Sequence, residues 1–316
     1  MRVAVLIPCH NEEVAIGRVV AGFRAALPDA AIYVYDNNST DGTIAAARAA
    51  GAVVRRERLQ GKGNVVRRMF ADVEADIYVL VDGDDTYDPA ASAGMVRMLG
   101  EEQLDMVTAS RVSDVQAAYR AGHRTGNKVL TGLVAMLFGN RVSDMLSGYR
   151  VFSRRFVKSF PALSAGFETE TEFTIHALEL AMPVGEVRAA YKERPAGSAS
   201  KLRTYTDGVR ILQTIVLLLK EIRPFAFFSA GAAALALLSL IAGGPVVMEF
   251  MRTGLVPRLP TAVLATALMG LAFLSMTCGF VLDSVARGRK EAKRMAYLAI
   301  PAVGAAYPVG CDSRQS

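Results

Sequence analysis

An Asp-Gly-Asp triplet at Asp82, Gly83 and Asp84 follows directly on the apolar run Ile77-Tyr78-Val79-Leu80-Val81. Two carboxylates one residue apart at a strand end supply the hard oxygen ligands that Mg2+ or Mn2+ takes when it bridges a diphosphate, and the intervening glycine permits close backbone approach. A cation held there offsets the charge that develops on a leaving diphosphate. Two more polar clusters follow apolar runs: Pro8-Cys9-His10-Asn11-Glu12-Glu13 after Val3–Ile7, and Asp36-Asn37-Asn38-Ser39-Thr40-Asp41-Gly42 after Ile32–Tyr35. Asp36, with Asn37 and Asn38 beside it, suits hydrogen bonds to a base or ribose, or an Asx turn. Gly61-Lys62-Gly63-Asn64 precedes a helical stretch, so Lys62 can meet phosphate with the helix N-terminus assisting. Glu168, Glu170 and Glu172 alternate in FETETEF, as a solvated strand or helix start or as contacts to sugar hydroxyls.

These residues need a scaffold, and the first 200 residues supply its pattern. Short runs at Val3–Ile7, Ile32–Tyr35, Ala52–Arg55, Ile77–Val81 and Asp105–Ala109 alternate with helical or turn segments, which predicts a mostly parallel sheet covered by helices. Ligands of such a sheet bind at the carboxyl ends of its strands, so the three polar loops converge on one rim. Asn11 is placed to cap a helix running to Leu27, where Pro28 and Asp29 stop it; Thr40-Asp41-Gly42 opens another that ends at Gly51.

Beyond residue 200 the pattern changes. Pro224–Met248 and Leu259–Leu282 carry no charged residue, and a helix needs roughly 20 residues to cross about 30 Å of hydrocarbon. Basic residues crowd the outer ends, Lys220 and Arg223 before and Arg287, Arg289, Lys290, Lys293 and Arg294 after, which places both ends in the cytoplasm. The N-terminal MRVAVLIPCHNEE lacks the form of a signal peptide. The expected organisation is a cytoplasmic catalytic domain over 1–202, an amphipathic juxtamembrane helix over 203–223, spans at about 225–247 and 260–282, and a basic cytoplasmic tail over 284–316. Small-residue runs such as Gly231-Ala232-Ala233-Ala234 permit helix association into a homo-oligomer.

Composition narrows the partners. A formal net charge of +6 suits nucleotide diphosphates, lipid phosphates and anionic leaflets. The basic residues are scattered and no nucleic-acid-binding motif accompanies them, so no nucleic acid partner is expected. Cys9, Cys278 and Cys311 lie far apart with no CxxC spacing, and His10, His123 and His176 show no metal spacing.

Taken together, LIPCHNEE at residues 6–13, DNNSTDGT at 36–43, Gly61-Lys62-Gly63 and VDGDD at 81–85 resemble the family 2 glycosyltransferases of GT-A, Rossmann-like fold. Asp144-Met145-Leu146-Ser147-Gly148-Tyr149-Arg150 and Gly197-Ser198-Ala199-Ser200-Lys201-Leu202 are similar to the polyprenyl-phosphate glycosyltransferases, the dolichol-phosphate mannose synthase group, some of which carry a C-terminal membrane hairpin. The resemblance implies transfer of a sugar from a UDP- or GDP-linked donor to polyprenyl phosphate at the inner, cytoplasmic membrane, with Mg2+ or Mn2+. It implies that Pro8, Asn11, Glu12, Asp36, Asn38, Lys62 and Asp82 line the nucleotide site, that Asp82 and Asp84 hold the metal, and that Asp84, Arg150 and Lys201 carry the reaction. The acceptor phosphate would fall to Arg111, Arg124, Arg150, Lys201 and Arg203, with Lys128 nearby. Thr86 stands where many relatives carry Gln, with Asp85 and Asp88 as substitutes close by. Processive polysaccharide synthases share the donor domain but usually hold their chain with Gln-x-x-Arg-Trp, and this chain contains no Trp.

Overall fold

The computed structural model describes residues 1–112, 132, 144–164, 166, 168–192, 220–221 and 223–304. It divides into two units, one formed by residues 1–208 with 293–316 and the other by residues 209–292. Arg124, Lys128, Lys201, Arg203, His123 and Cys311 lie outside the described residues, as does nearly all of the expected juxtamembrane helix.

In the first unit the elements run β1 (Val3–Cys9), α1 (Glu13–Ala26), β2 (Ala31–Asp36), α2 (Thr43–Ala49), β3 (Val53–Arg56), α3 (Lys62–Asp72), β4 (Ile77–Leu80), α4 (Ala91–Glu101), β5 (Met106–Val112), β6 (Arg150–Ser153), α5 (Arg154–Ser159), α6 (Thr169–Glu179) and β7 (Val184–Ala190). The sheet order is β3-β2-β1-β4-β6-β5-β7. Among the described strands, only β6 runs against its neighbours, antiparallel to β4 and β5. The mostly parallel α/β sheet is therefore present, with β6 and β7 added to the strands that the sequence pattern predicts.

Both faces of the sheet are covered, which is why β1 and β4 read as nearly unbroken apolar runs. Alternation along β1 divides its side chains between two cores. Val5 and Ile7 pack with Ile16, Val20 and Phe23 of α1 and Met95 and Leu99 of α4. Ala4 and Leu6 face Val66, Met69 and Phe70 of α3, Phe156 of α5 and Phe173 of α6. On that second face the rings of Phe152 and Phe173 lie 4.9 Å apart and those of Phe152 and Phe156 4.5 Å apart; burying each such side chain stabilises the fold by about 1.5–3 kcal/mol. Residues 293–304 belong to the same unit. Tyr297 donates from its hydroxyl to Asp105 Oδ2 at 2.9 Å, and Lys293 pairs with Glu179 at 2.8 Å. Asp105 is fully buried and also accepts from Ser153 Oγ at 2.7 Å and from Arg155 Nε.

The second unit holds α7 (Pro224–Thr253) and most of α8 (Leu259–Leu298), both long and apolar enough to cross a membrane. Beside Pro224 at the start of α7, the buried residues are Ala232, Ser239 and Val246 of α7 and Ala265, Ala272 and Gly279 of α8, the latter two series at heptad spacing. Small side chains on the seam let the backbones approach. Ser239 Oγ donates to Ala265 O at 2.7 Å and Ser275 Oγ to Phe228 O at 2.9 Å. Residues 284–298 of the stretch expected as a basic tail continue α8. Alanines, lysines, arginines and Glu291, all with good helix propensity, carry it past the end of the apolar run, with Pro301 only beyond its last turn.

Candidate active site

The carboxyl ends of β1, β2 and β4 bring the three polar loops together, and the first two are laced to each other. Asn11 Oδ1 accepts from Thr40 N at 2.8 Å, Asn11 N donates to Ser39 Oγ at 2.9 Å, and Glu12 N donates to Thr43 Oγ1 at 2.8 Å. Asn11, with φ of 54°, is thus a cross-brace and not the helix cap that its position suggested; α1 begins at Glu13. Asp36 ends β2 almost wholly buried, with both carboxylate oxygens 3.3 Å from Ser39 N, an Asx-type turn. Asn37 reaches the other way. It donates to Glu57 O and Leu59 O and accepts from Gly61 N at 2.8 Å, while Asn38 donates to Arg58 O. These two asparagines hold the 57–61 loop and so set where α3 begins, with Lys62 as its first residue.

Asp82, Gly83 and Asp84 follow β4. A side chain at Gly83 would place its Cβ 2.5 Å from Cys9 Sγ, so glycine is what lets the β4 turn lie against the end of β1. Asp84 is buried and accepts from Thr86 Oγ1 at 2.6 Å. The substitutes considered for the missing Gln are engaged elsewhere: Asp85 pairs with Arg18 at 2.8 Å, and Asp88 Oδ1 accepts from Ala90 N at 3.1 Å. Burial pushes the Cys9 thiol well up, and the carboxylates of Glu12, Asp36, Asp82 and Asp84 add to the effect, so all four acids act at one rim.

Lys62 joins this rim to α6. Its Nζ lies 2.5 Å from Asp82 Oδ1 and 2.5 Å from Glu170 Oε1. The lysine side chain is 9% exposed and that of Asp82 31%. Burial opposes the ammonium charge most strongly, yet Asp82 and Glu170 together outweigh it and raise the Lys62 pKa above its ordinary value. Glu170 arrives there because Phe173, one turn later on the same helix face, is buried in the aromatic cluster. The acids of FETETEF therefore separate by helix geometry: Glu170 is 5% exposed, Glu168 is exposed, and Glu172 accepts from Leu163 N and Ser164 N at 2.9 and 3.0 Å. Gly148 closes the same space, since a Cβ there would fall 2.3 Å from Asp82 Oδ2 and 3.1 Å from Lys62 Nζ.

The two described candidates for acceptor phosphate differ in placement. Arg111, at the carboxyl end of β5, forms a bidentate pair with Asp144 at 2.7 and 2.9 Å and lies 5.6 Å from the Tyr191 ring centroid. Burial works against its charge, but the Asp144 carboxylate prevails and raises its pKa. Arg150 begins β6 on the rim, but its guanidinium turns into the core, fully buried. It donates to Ser147 O at 3.0 Å, Met145 O at 2.6 Å and Thr174 Oγ1 at 2.8 Å, and stands 5.6 Å from the Phe173 ring centroid. Those bonds hold the 145–148 loop. Burial lowers its pKa to about 10, which leaves it charged at neutral pH.

Residues 4–160 match Glycosyl transferase family 2. Glycosyltransferase AglJ from Haloferax volcanii is 32% identical over 237 residues, covering 74% of this chain and 78% of AglJ. The chain belongs to glycosyl transferase family 2. This glycosyltransferase is also 29% identical to a dolichyl-phosphate hexose transferase of the same archaeon, over 70% of this chain and 95% of that one. Among solved structures, glucosyl-3-phosphoglycerate synthase from Mycobacterium tuberculosis in complex with Mn2+ and UDP-glucose matches 69% of this chain and 78% of its own, with a TM-score of 0.55 and 25% identity. Among the described residues of the transferase, no group of three or more His, Cys, Asp or Glu gathers around a common point. The Asp82 and Asp84 carboxylates are the pair from which a cation's donor set is expected. Such hard oxygens fit Mg2+ or Mn2+ when a diphosphate supplies further oxygens.

Proposed function

We propose that the chain transfers a sugar from a UDP- or GDP-linked donor to polyprenyl phosphate, with inversion, at the cytoplasmic face of the inner membrane. The observation that carries this reading is the Asp82–Asp84 pair set beside Lys62 on the rim of a family 2 sheet, in a chain with two helices fit to span a bilayer. The dolichyl-phosphate hexose transferase relative and the Mn2+- and UDP-glucose-bound neighbour support it from the acceptor side and the donor side.

A phosphate monoester is close to a dianion at neutral pH, so it attacks the anomeric carbon without a strong base. The protein's task is then to position two anions that repel each other. Asp36, Glu12, Pro8, Asn11 and Asn38 frame the nucleoside pocket, two of them by fixing loops. Asp82 and Asp84 would hold Mg2+ or Mn2+, whose charge would offset that of a departing diphosphate. Arg111, with Arg124, Lys201 and Arg203 from outside the described residues, receives the acceptor phosphate. Arg150 acts on Met145–Ser147 as a positioning residue. The decisive experiment incubates the purified full chain with polyprenyl phosphate, Mg2+ or Mn2+ and a panel of nucleotide sugars, and identifies lipid products by mass. A sugar-phosphate lipid from one donor is expected; none from any donor refutes the proposal.

A further inference from the structure

Lys62 shares its ammonium between Asp82 and Glu170, at 2.5 Å from an oxygen of each. Asp82 is one of the two carboxylates proposed above for the cation, and Glu170 lies on another helix. A lysine nitrogen at that distance lies where a divalent ion bonded to the same Asp82 oxygen would repel it, so ammonium and cation compete for one carboxylate. Glu170 gives the ammonium a second station. It is 5% exposed, and its Oε2 has no hydrogen-bond partner among the described residues, so Lys62 Nζ offsets a buried charge. Lys62 has three donors on a flexible stem and opens α3, whose N-terminal amides favour anions.

Resting on the metal-assisted donor site above, we propose that Lys62 is a positioning residue that couples metal and nucleotide binding: it leaves Asp82 to the cation, stays with Glu170 and turns a freed N–H onto the donor diphosphate. Metal without diphosphate must take Asp82 from an ammonium that would then keep Glu170 alone. Diphosphate without metal finds that ammonium already engaged by Asp82. Each ligand removes the obstacle to the other, and the coupling is reciprocal.

The test uses the full-length protein and Mn2+ alone, followed by the loss of the free-ion paramagnetic resonance signal, with thermal midpoints measured beside it. Lys62→Met should bind Mn2+ alone about tenfold tighter than wild type and bind metal-free UDP or GDP more weakly. Glu170→Gln, which leaves the ammonium to Asp82, should weaken Mn2+ binding; this variant carries the test if Lys62→Met does not fold. A purely structural ion pair would lower the thermal midpoint and leave metal affinity unmoved. Unchanged or weaker Mn2+ binding by folded Lys62→Met, or tighter binding by Glu170→Gln, overturns the proposal. Mn2+ binding that survives both Asp82→Asn and Asp84→Asn would instead strike at the metal site on which it rests.

Discussion

Thr86 donates its hydroxyl to Asp84 Oδ1 at 2.6 Å, and both residues are buried. The threonine thus orients a carboxylate proposed for the cation. Thr86→Val keeps the shape and removes the donor. Transfer should fall by about tenfold or more, roughly 1.4 kcal/mol of transition-state stabilisation, while Thr86→Ser should stay near wild type. Kinetics at saturating and limiting Mn2+ check this, and equal rates for the two variants would contradict it.

Arg150 provides a contrast between holding a loop and binding a ligand. Its three oxygen partners all belong to the protein, at Met145, Ser147 and Thr174. Arg150→Met would leave these buried acceptors short of a donor and cost about 3 kcal/mol of stability. Arg150→Lys should recover little of it, because one ammonium cannot span the fork. Chemical denaturation measures both. Full stability with a raised KM for the lipid acceptor would return Arg150 to the phosphate.

His176 ties stability to pH. Its Nε2 lies 3.0 Å from Ser159 Oγ, and burial, with Lys293 nearby, lowers its pKa to about 3. The unfolded chain, with an imidazole near 6.5, binds a proton first as pH falls. Stability is therefore unaffected above that value and is lost below it by about 1.4 kcal/mol per pH unit, until the folded ring also protonates. His176→Gln should flatten the fall in thermal midpoint between pH 7 and 5. Parallel profiles for the two proteins would remove His176 as the cause.

The sheet and its rim were legible because their causes are local. Val3–Ile7 and Ile77–Val81 had to be apolar on both faces to lie in the middle of a covered parallel sheet, and the polar residues after them had to stand at its edge. The apolar helices were legible for the same reason. Arg150 was not. An arginine before Val151 and Phe152 looks like a rim cation until antiparallel pairing with β4 fixes which face its side chain takes. Nor was the Lys62 pairing, whose acids lie 20 and 108 residues away along the chain. Glu170 could have been separated from its neighbours by testing FETETEF at helical spacing against Phe173, which would have put Glu170 and Phe173 on one face. Asn11 was misassigned as a cap because an asparagine before acids fits that role locally, while its real partner, Thr40, comes from the next loop.

The carboxylate pair after β4 bears the weight of the account, and Asp84→Asn removes one charge with almost no change in shape. The full chain and this variant, both inserted in membranes, should be compared for divalent-dependent formation of a polyprenyl-phosphate sugar. Product is expected from the wild type, abolished by chelation, and none above background from Asp84→Asn at an unchanged thermal midpoint. Wild-type rates in the variant, or in the presence of chelator, would contradict it.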